Sequence, residues 1–158
     1  MIASAPGKLL VSGAYAVLVG APALVSAVDR RVTADSSLPP ELLTDEVKAA
    51  LELGGLKGLE ALGRAPWFDA SALRTSEGGV SRKLGLGSSA AILAASLGAA
   101  CADAEELRAL LPSIFDLALR AHRHAQGGGS GVDVAASVFG GTLRCRLATS
   151  GELGVEPR

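Results

Sequence analysis

Along the first third of the chain, apolar and polar positions alternate in short runs. Along the last half they fall at helical spacing. Residues 2–5 and 8–12 are predicted strands divided by Pro6-Gly7. Residues 17–19, the Gly20-Ala21-Pro22 turn and residues 23–28 read as strand, turn, strand. Asp29-Arg30 predicts another tight turn, and residues 31–36 alternate as a further strand that Pro39-Pro40 closes off. In residues 41–53, Leu42, Leu43, Val47, Ala50 and Leu51 share one side of a predicted helix. Residues 54–63 are glycine-rich and ambiguous, residues 67–73 read as a strand, and residues 76–83 as a polar loop. An Ala-rich helix is predicted from Ser89 to Ala102, and a short one from Asp103 to Leu111. Pro112-Ser113 then opens a helix with the stripe Ile114, Leu117, Ala118, Ala121 and Ala125. Residues 126–131 break it, residues 132–138 form a short helix, Gly140-Gly141 a turn, and residues 142–147 a last strand. Early strands followed by helices predict an α+β fold, a mixed sheet with helices packed on one face.

Composition sharpens this picture in one respect. Of 158 residues, 49% are hydrophobic but only 3% aromatic, so the core must pack small side chains with helix close against sheet. The net charge of −1 and the absence of a basic stripe speak against a nucleic-acid partner. Residues 90–102 are too few to span a bilayer, and the first residues lack the basic start of a signal peptide, so no membrane partner is expected. Cys101 and Cys145, far apart in apolar surroundings, are expected to be buried thiols of a cytoplasmic protein.

The most specific chemistry lies in Lys83-Leu-Gly-Leu-Gly-Ser-Ser-Ala-Ala91. A flexible turn opening a helix leaves unpaired backbone N–H groups at the positive end of the helix dipole, which is a place for an anion. Ser88 and Ser89 add hydroxyls, one of which is able to meet Mg²⁺. No Lys follows the last glycine, so this is not the common P-loop pattern.

Two further glycine-rich clusters accompany it: Ala5-Pro-Gly-Lys-Leu-Leu-Val-Ser-Gly-Ala-Tyr15, and His122-Arg-His-Ala-Gln-Gly-Gly-Gly-Ser-Gly-Val-Asp133. Taken singly each has an ordinary explanation: Lys8 as a solvated strand residue, Asp133 as a helix cap, His122 and Gln126 as a half-buried pair four residues apart. Taken together they hold what phosphoryl transfer needs. The loop supplies donors for phosphates, Ser89 a metal contact, Lys8 a positive charge, and Asp133 a carboxylate for the acceptor. This requires residues distant in sequence to converge.

The three clusters resemble the GHMP kinase superfamily, and within it phosphomevalonate kinases most. Gly85-Leu-Gly-Ser-Ser-Ala-Ala91 is similar to the family's ATP-phosphate motif almost letter for letter. The resemblance runs from Ser4 to about Arg146, with a divergent middle over residues 36–81. It implies a domain like the second domain of ribosomal protein S5 over residues 1–148, a linker tail over 149–158, and a C-terminal domain absent from this chain. It also implies ATP and Mg²⁺ as cofactors. Lys83, Gly85, Leu86, Gly87, Ser88, Ser89 and Ala90 would bind ATP, with Ser89 on the metal. Lys8 and Asp133 would be catalytic, and Lys8, Tyr15, His122, Gln126, Ser130 and Gly131 would meet the substrate.

Ala14 and His122 stand where mevalonate kinases carry glutamates, which favours a phosphorylated small-molecule acceptor, 5-phosphomevalonate, over mevalonate. The alternatives are mevalonate kinase, another GHMP kinase, or a nucleotide-binding half-domain without turnover. The Arg terminus after a polar tail suits cleavage at an exposed linker. The expectation is therefore a fragment that self-associates, as a homo-oligomer, or retains its other half as a separate chain.

Overall fold

A computed structural model describes residues 1–158, apart from the side chain of Glu77. The fold is α+β, as expected. The main sheet consists of β1 (Ile2–Ser12), β2 (Ala23–Asp35), β3 (Trp67–Asp69), β6 (Thr142–Leu147) and β7 (Leu153–Pro157). Its order is β1-β2-β6-β7, with β3 beside the far end of β2. Every described pairing is antiparallel, so the sheet is not mixed. A separate hairpin, β4 (Arg74–Glu77) with β5 (Val80–Lys83), occupies the stretch expected as a polar loop. The helices are α1 (Asp45–Leu53), α2 (Lys57–Leu62), α3 (Ser88–Ala99), α4 (Ala104–Gln126) and α5 (Val132–Phe139).

Helix α3 is buried all round from Ala90 to Ala99, between the sheet and the outer helices. A helix without a polar face has to be internal, and its alanines allow the close approach that a core poor in aromatics demands. One cluster of buried residues joins α1, α3 and α4 to β1 and β2; a second joins Val17, Val25, Ala135, Leu143 and Leu153. Cys101 and Cys145 are buried free thiols, and burial pushes Cys145 up to about 11. Among the described residues no helix is long and apolar enough to cross a membrane.

The departures from expectation cluster around one irregularity. Pro6-Gly7 and Asp29-Arg30 are not breaks between strands. They face each other within β1 and β2, where the pairing steps from Pro6 opposite Arg31 to Lys8 opposite Ala27. Three residues on β2 thus oppose one on β1. The faces of β1 exchange across this bulge. Before it Ala3 and Ala5 are buried; after it Leu9 and Val11 are exposed, whereas Lys8 and Leu10 are half-buried on the helix side. Gly7 sits at the pivot, where a β-carbon would come within 2.8 Å of the Leu86 carbonyl oxygen.

Other boundaries moved for local reasons. Residues 16–19 form a 3-10 turn, not a strand, closed by the Gly20 N–H on the Ala16 and Val17 carbonyls. Helix α1 begins late because Thr44 caps it, accepting from the Val47 N–H at 3.3 Å. Beyond β3 the predicted strand ends as Asp69 accepts from the Ser71 N–H at 2.8 Å, and Ser71–Leu73 is a 3-10 turn. Pro112 does not divide α4: it lies exposed, so the carbonyl it leaves unpaired is on the solvent side, while Ile114, Leu117 and Ala118 remain buried. The segment 149–158 is not merely a tail, since Leu153–Pro157 pairs with β6.

Candidate active site

The start of α3 is the centre of the site. Gly87 precedes the helix with φ of 71°, a left-handed conformation that side-chain-bearing residues rarely adopt. No side chain caps the helix and no acidic residue lies in its first turn. The amides of Ser88, Ser89 and Ala90 therefore lack partners within the helix. Beside them a cavity of about 740 Å³ is lined by Ser88, Ser89, Lys83, Arg74 and Phe68, and by Thr44, Asp45 and Glu46 from the start of α1. Its volume lies in the range of nucleotide-sized pockets.

On the other side of the loop lies a smaller cavity of about 210 Å³, lined by Lys8, Leu10, Ala14, His122, Gln126, Gly129, Ser130, Gly131, Val132 and Asp133. The first and third glycine-rich clusters thus meet, although Lys8 and Asp133 are far apart in sequence. The Lys8 N–H donates to the Leu86 carbonyl at 2.8 Å. Its side chain runs so close to Gly87 that a β-carbon there would stand 3.0 Å from Lys8 Cγ and Cε. The ammonium-bearing chain therefore passes directly beside the mouth of α3.

Asp133, in the first turn of α5, accepts from the Val134 N–H at 3.0 Å and lies 3.2 Å from His122 Nε2. Burial by itself would raise the Asp133 carboxyl. His122, the Val134 N–H and Lys8 outweigh it and hold the carboxyl below the usual carboxylate range. Burial likewise acts to lower the His122 imidazole, and the Asp133 carboxylate, helped by Glu46, overrides it and raises the imidazole's proton affinity. The two shifts agree on an ion pair, His122⁺ with Asp133⁻. The geometry is loose: His122 Nδ1 and Nε2 have no well-aligned hydrogen bond.

Two candidate residues stand apart. Tyr15 is 86% exposed and lies outside the cavity that its neighbour Ala14 lines. Gly85 is also exposed, on the approach to α3. One residue went unnoticed in the sequence. Glu46, from the divergent middle, is buried and accepts from Gln126 Nε2 at 3.2 Å. Its only signal was a charge on the apolar side of α1, one residue before Val47.

A divalent cation fits this donor set in one way. Among the described residues no group of three His, Cys, Asp or Glu side chains could hold a metal. Mg²⁺ arriving with phosphates needs only one or two protein ligands, and the Ser89 hydroxyl, on the cavity wall beside the uncapped amides, has the chemistry to serve as one.

A domain of this fold, with an open glycine-serine helix start flanked by Lys8 and Asp133, belongs to the GHMP kinase family. The model of the GHMP kinase N-terminal domain matches residues 47–141. The chain is 36% identical over 153 residues to a mevalonate kinase of Methanothermobacter thermautotrophicus, covering 89% of this chain and 48% of that protein. It is 30% identical over 151 residues to a mevalonate kinase of Archaeoglobus fulgidus, covering 90% of this chain and 51% of that one. The crystal structure of a Streptococcus pneumoniae phosphomevalonate kinase superposes with a TM-score of 0.61 at 17% identity, over 99% of this chain and 57% of that chain. At that identity the likeness concerns the fold alone. The chain spans about half the length of the curated relatives it matches. Both of those relatives fit the mevalonate alternative better than the phosphomevalonate reading.

Proposed function

We propose that this chain is the ATP-binding half of a kinase that transfers the γ-phosphoryl group of ATP to mevalonate, with a second half closing over the substrates. The observation that carries this reading is the convergence of Lys8, His122 and Asp133 beside the uncapped start of α3. The two mevalonate kinase relatives support the choice of acceptor. The exposed Leu9, Val11, Leu18 and Val19 offer apolar surface for a second half or a second copy.

In this mechanism the triphosphate lies against the Ser88, Ser89 and Ala90 amides, with Lys83 on the cavity wall. Ser89 would hold Mg²⁺, which would supply positive charge to neutralise the phosphates. Lys8 adds a positive charge between the two cavities, where the transferred group crosses. Asp133, ionised at neutral pH, accepts a hydrogen bond from the acceptor hydroxyl and holds that oxygen in line. The oxygen forms a bond to the γ-phosphorus as the bond to the β-phosphate oxygen breaks, and the hydroxyl proton passes through Asp133 to solvent. His122 keeps the carboxylate ionised and oriented.

A second reading, 5-phosphomevalonate as acceptor, is favoured by one observation: His122 and Lys8 place two positive groups at the smaller cavity. ADP release measured with each acceptor separates the two. Variants separate them further. With a hydroxyl acceptor, Asp133→Asn lowers kcat by roughly 10²–10⁴-fold, more than Lys8→Ala does. A phosphate acceptor, whose second pKa is about 6, needs no base, and there Lys8→Ala is the more damaging change. Equal losses would count against both assignments. Calorimetric binding of MgATP without ADP production in the intact protein would leave only a nucleotide-binding module.

A further inference from the structure

Glu46 is a buried carboxylate that the mechanism above does not use. It is 8% exposed, and among the described residues it forms no ion pair with a Lys or Arg. A buried carboxylate without a cation is unfavourable unless hydrogen bonds hold it. Its hydrogen-bond partner is Gln126, at the last turn of α4 and 80 residues away in the chain. Glu46 lines the larger cavity with Ser88 and Ser89, whereas Gln126 lines the smaller one with Asp133. This one bond therefore spans the space between the two cavities, behind the start of α3.

The chemistry of the pair settles which way the carboxamide faces. An ionised carboxylate only accepts hydrogen bonds, so the Gln126 nitrogen must turn toward Glu46. The amide oxygen is then the acceptor left for a ligand. We propose that Glu46 is a positioning residue for the acceptor substrate: it holds Gln126 with the amide nitrogen toward α1, and the freed oxygen takes a hydrogen bond from a hydroxyl of the acceptor in the Asp133 cavity. Without Glu46, Gln126 rotates freely and offers donor and acceptor indifferently. The groups facing this pair are His122 and Asp133, with Arg123 and Lys8 nearby; Glu46 also favours protonated His122, so losing it weakens the cavity's positive charge. The inference rests on the kinase reading, since it needs the acceptor in the smaller cavity.

The test is steady-state kinetics on the intact protein with mevalonate and ATP varied separately. Glu46→Ala and Gln126→Ala are each expected to raise the KM for mevalonate about ten-fold, the scale of one lost hydrogen bond, and Gln126→Ala, outside the larger cavity, to leave the KM for ATP unchanged. The double variant is expected to be no worse than either single one, because both remove the same interaction. Glu46→Gln, which keeps an oxygen for the Gln126 nitrogen, is expected to recover most of the loss. A fall in melting temperature with the KM for mevalonate unmoved would reduce the bond to a structural tie and overturn the proposal. So would a change in the KM for ATP instead. Absence of turnover with mevalonate and with 5-phosphomevalonate in the unsubstituted protein would be a different failure, ending the kinase reading and this inference with it.

Discussion

Helices α3 and α4 begin in opposite ways, although they are consecutive and packed together. At α4, Asp103 accepts from the Glu105 and Glu106 N–H groups, each at 2.9 Å, and two acidic residues occupy the first turn. Two of its orphan donors are thus satisfied by the capping side chain, and acidic charge opposes its positive end. At α3, glycine stands in the capping position, and the helix's own first turn carries serines and no acid. The same backbone end that is sealed in one helix is left open in the other. Helix α5 lies between these extremes: it starts at Gly131 without a side-chain cap, but Asp133 in its first turn is engaged by His122 and Val134. Of these three starts, that of α3 leaves an anion the most unopposed donors. That start is where Lys8 and the two cavities are.

The contrast breaks most severely at Gly87. Replacing it with Ala strains the backbone by roughly 1–3 kcal/mol and presses a methyl group against Lys8. MgATP affinity, read by calorimetry, is expected to fall about a hundred-fold. Retained affinity would mean that nucleotide does not sit at this helix start.

A smaller effect is expected at α5. The His122 imidazole is raised above its ordinary 6.5 and the Asp133 carboxyl lowered below its ordinary 3.8. The imidazole's contribution to stability is fully present below about pH 6.5 and is lost as pH rises through its higher folded value. The carboxylate's contribution is present above about pH 4 and is lost as pH falls through its lower folded value. Thermal melts should therefore show the pair at full strength between about pH 4 and 6.5. His122→Phe should remove about 2 kcal/mol within that window and flatten the alkaline decline. An unchanged pH profile would show that no ion pair forms.

The smallest effect is expected at the sealed helix. Asp103→Ala should cost about 1 kcal/mol of stability and leave MgATP affinity untouched. A loss of affinity there would mean that the two helix starts are not independent.

What could be read from residues alone follows from how far each signal reaches along the chain. The Gly-Ser loop and the helix after it were legible because turn and helix signals are local. The stripe of α4 was legible too, yet Pro112 suggested two helices, since a proline's effect depends on which side of the helix faces water. Residues 16–19 were misread because a short apolar run does not separate strand from 3-10 turn. Glu46 was invisible as a functional residue: its partner lies in another helix 80 residues on.

By itself, the order of residues determined the class of fold, a core built of small side chains, and a helix whose first amides have no cap of their own. These depend on composition and on neighbours within a few positions. Tertiary structure alone decided that Lys8 faces the helices. The pairing of β1 with β2 is interrupted by a bulge at Gly7, across which the buried face of β1 passes from odd to even positions. It also decided that Lys8, His122, Asp133 and the α3 start share one place, and that a carboxylate from α1 reaches the end of α4. Those are consequences of packing between distant segments, to which periodicity along a single strand or helix carries no information.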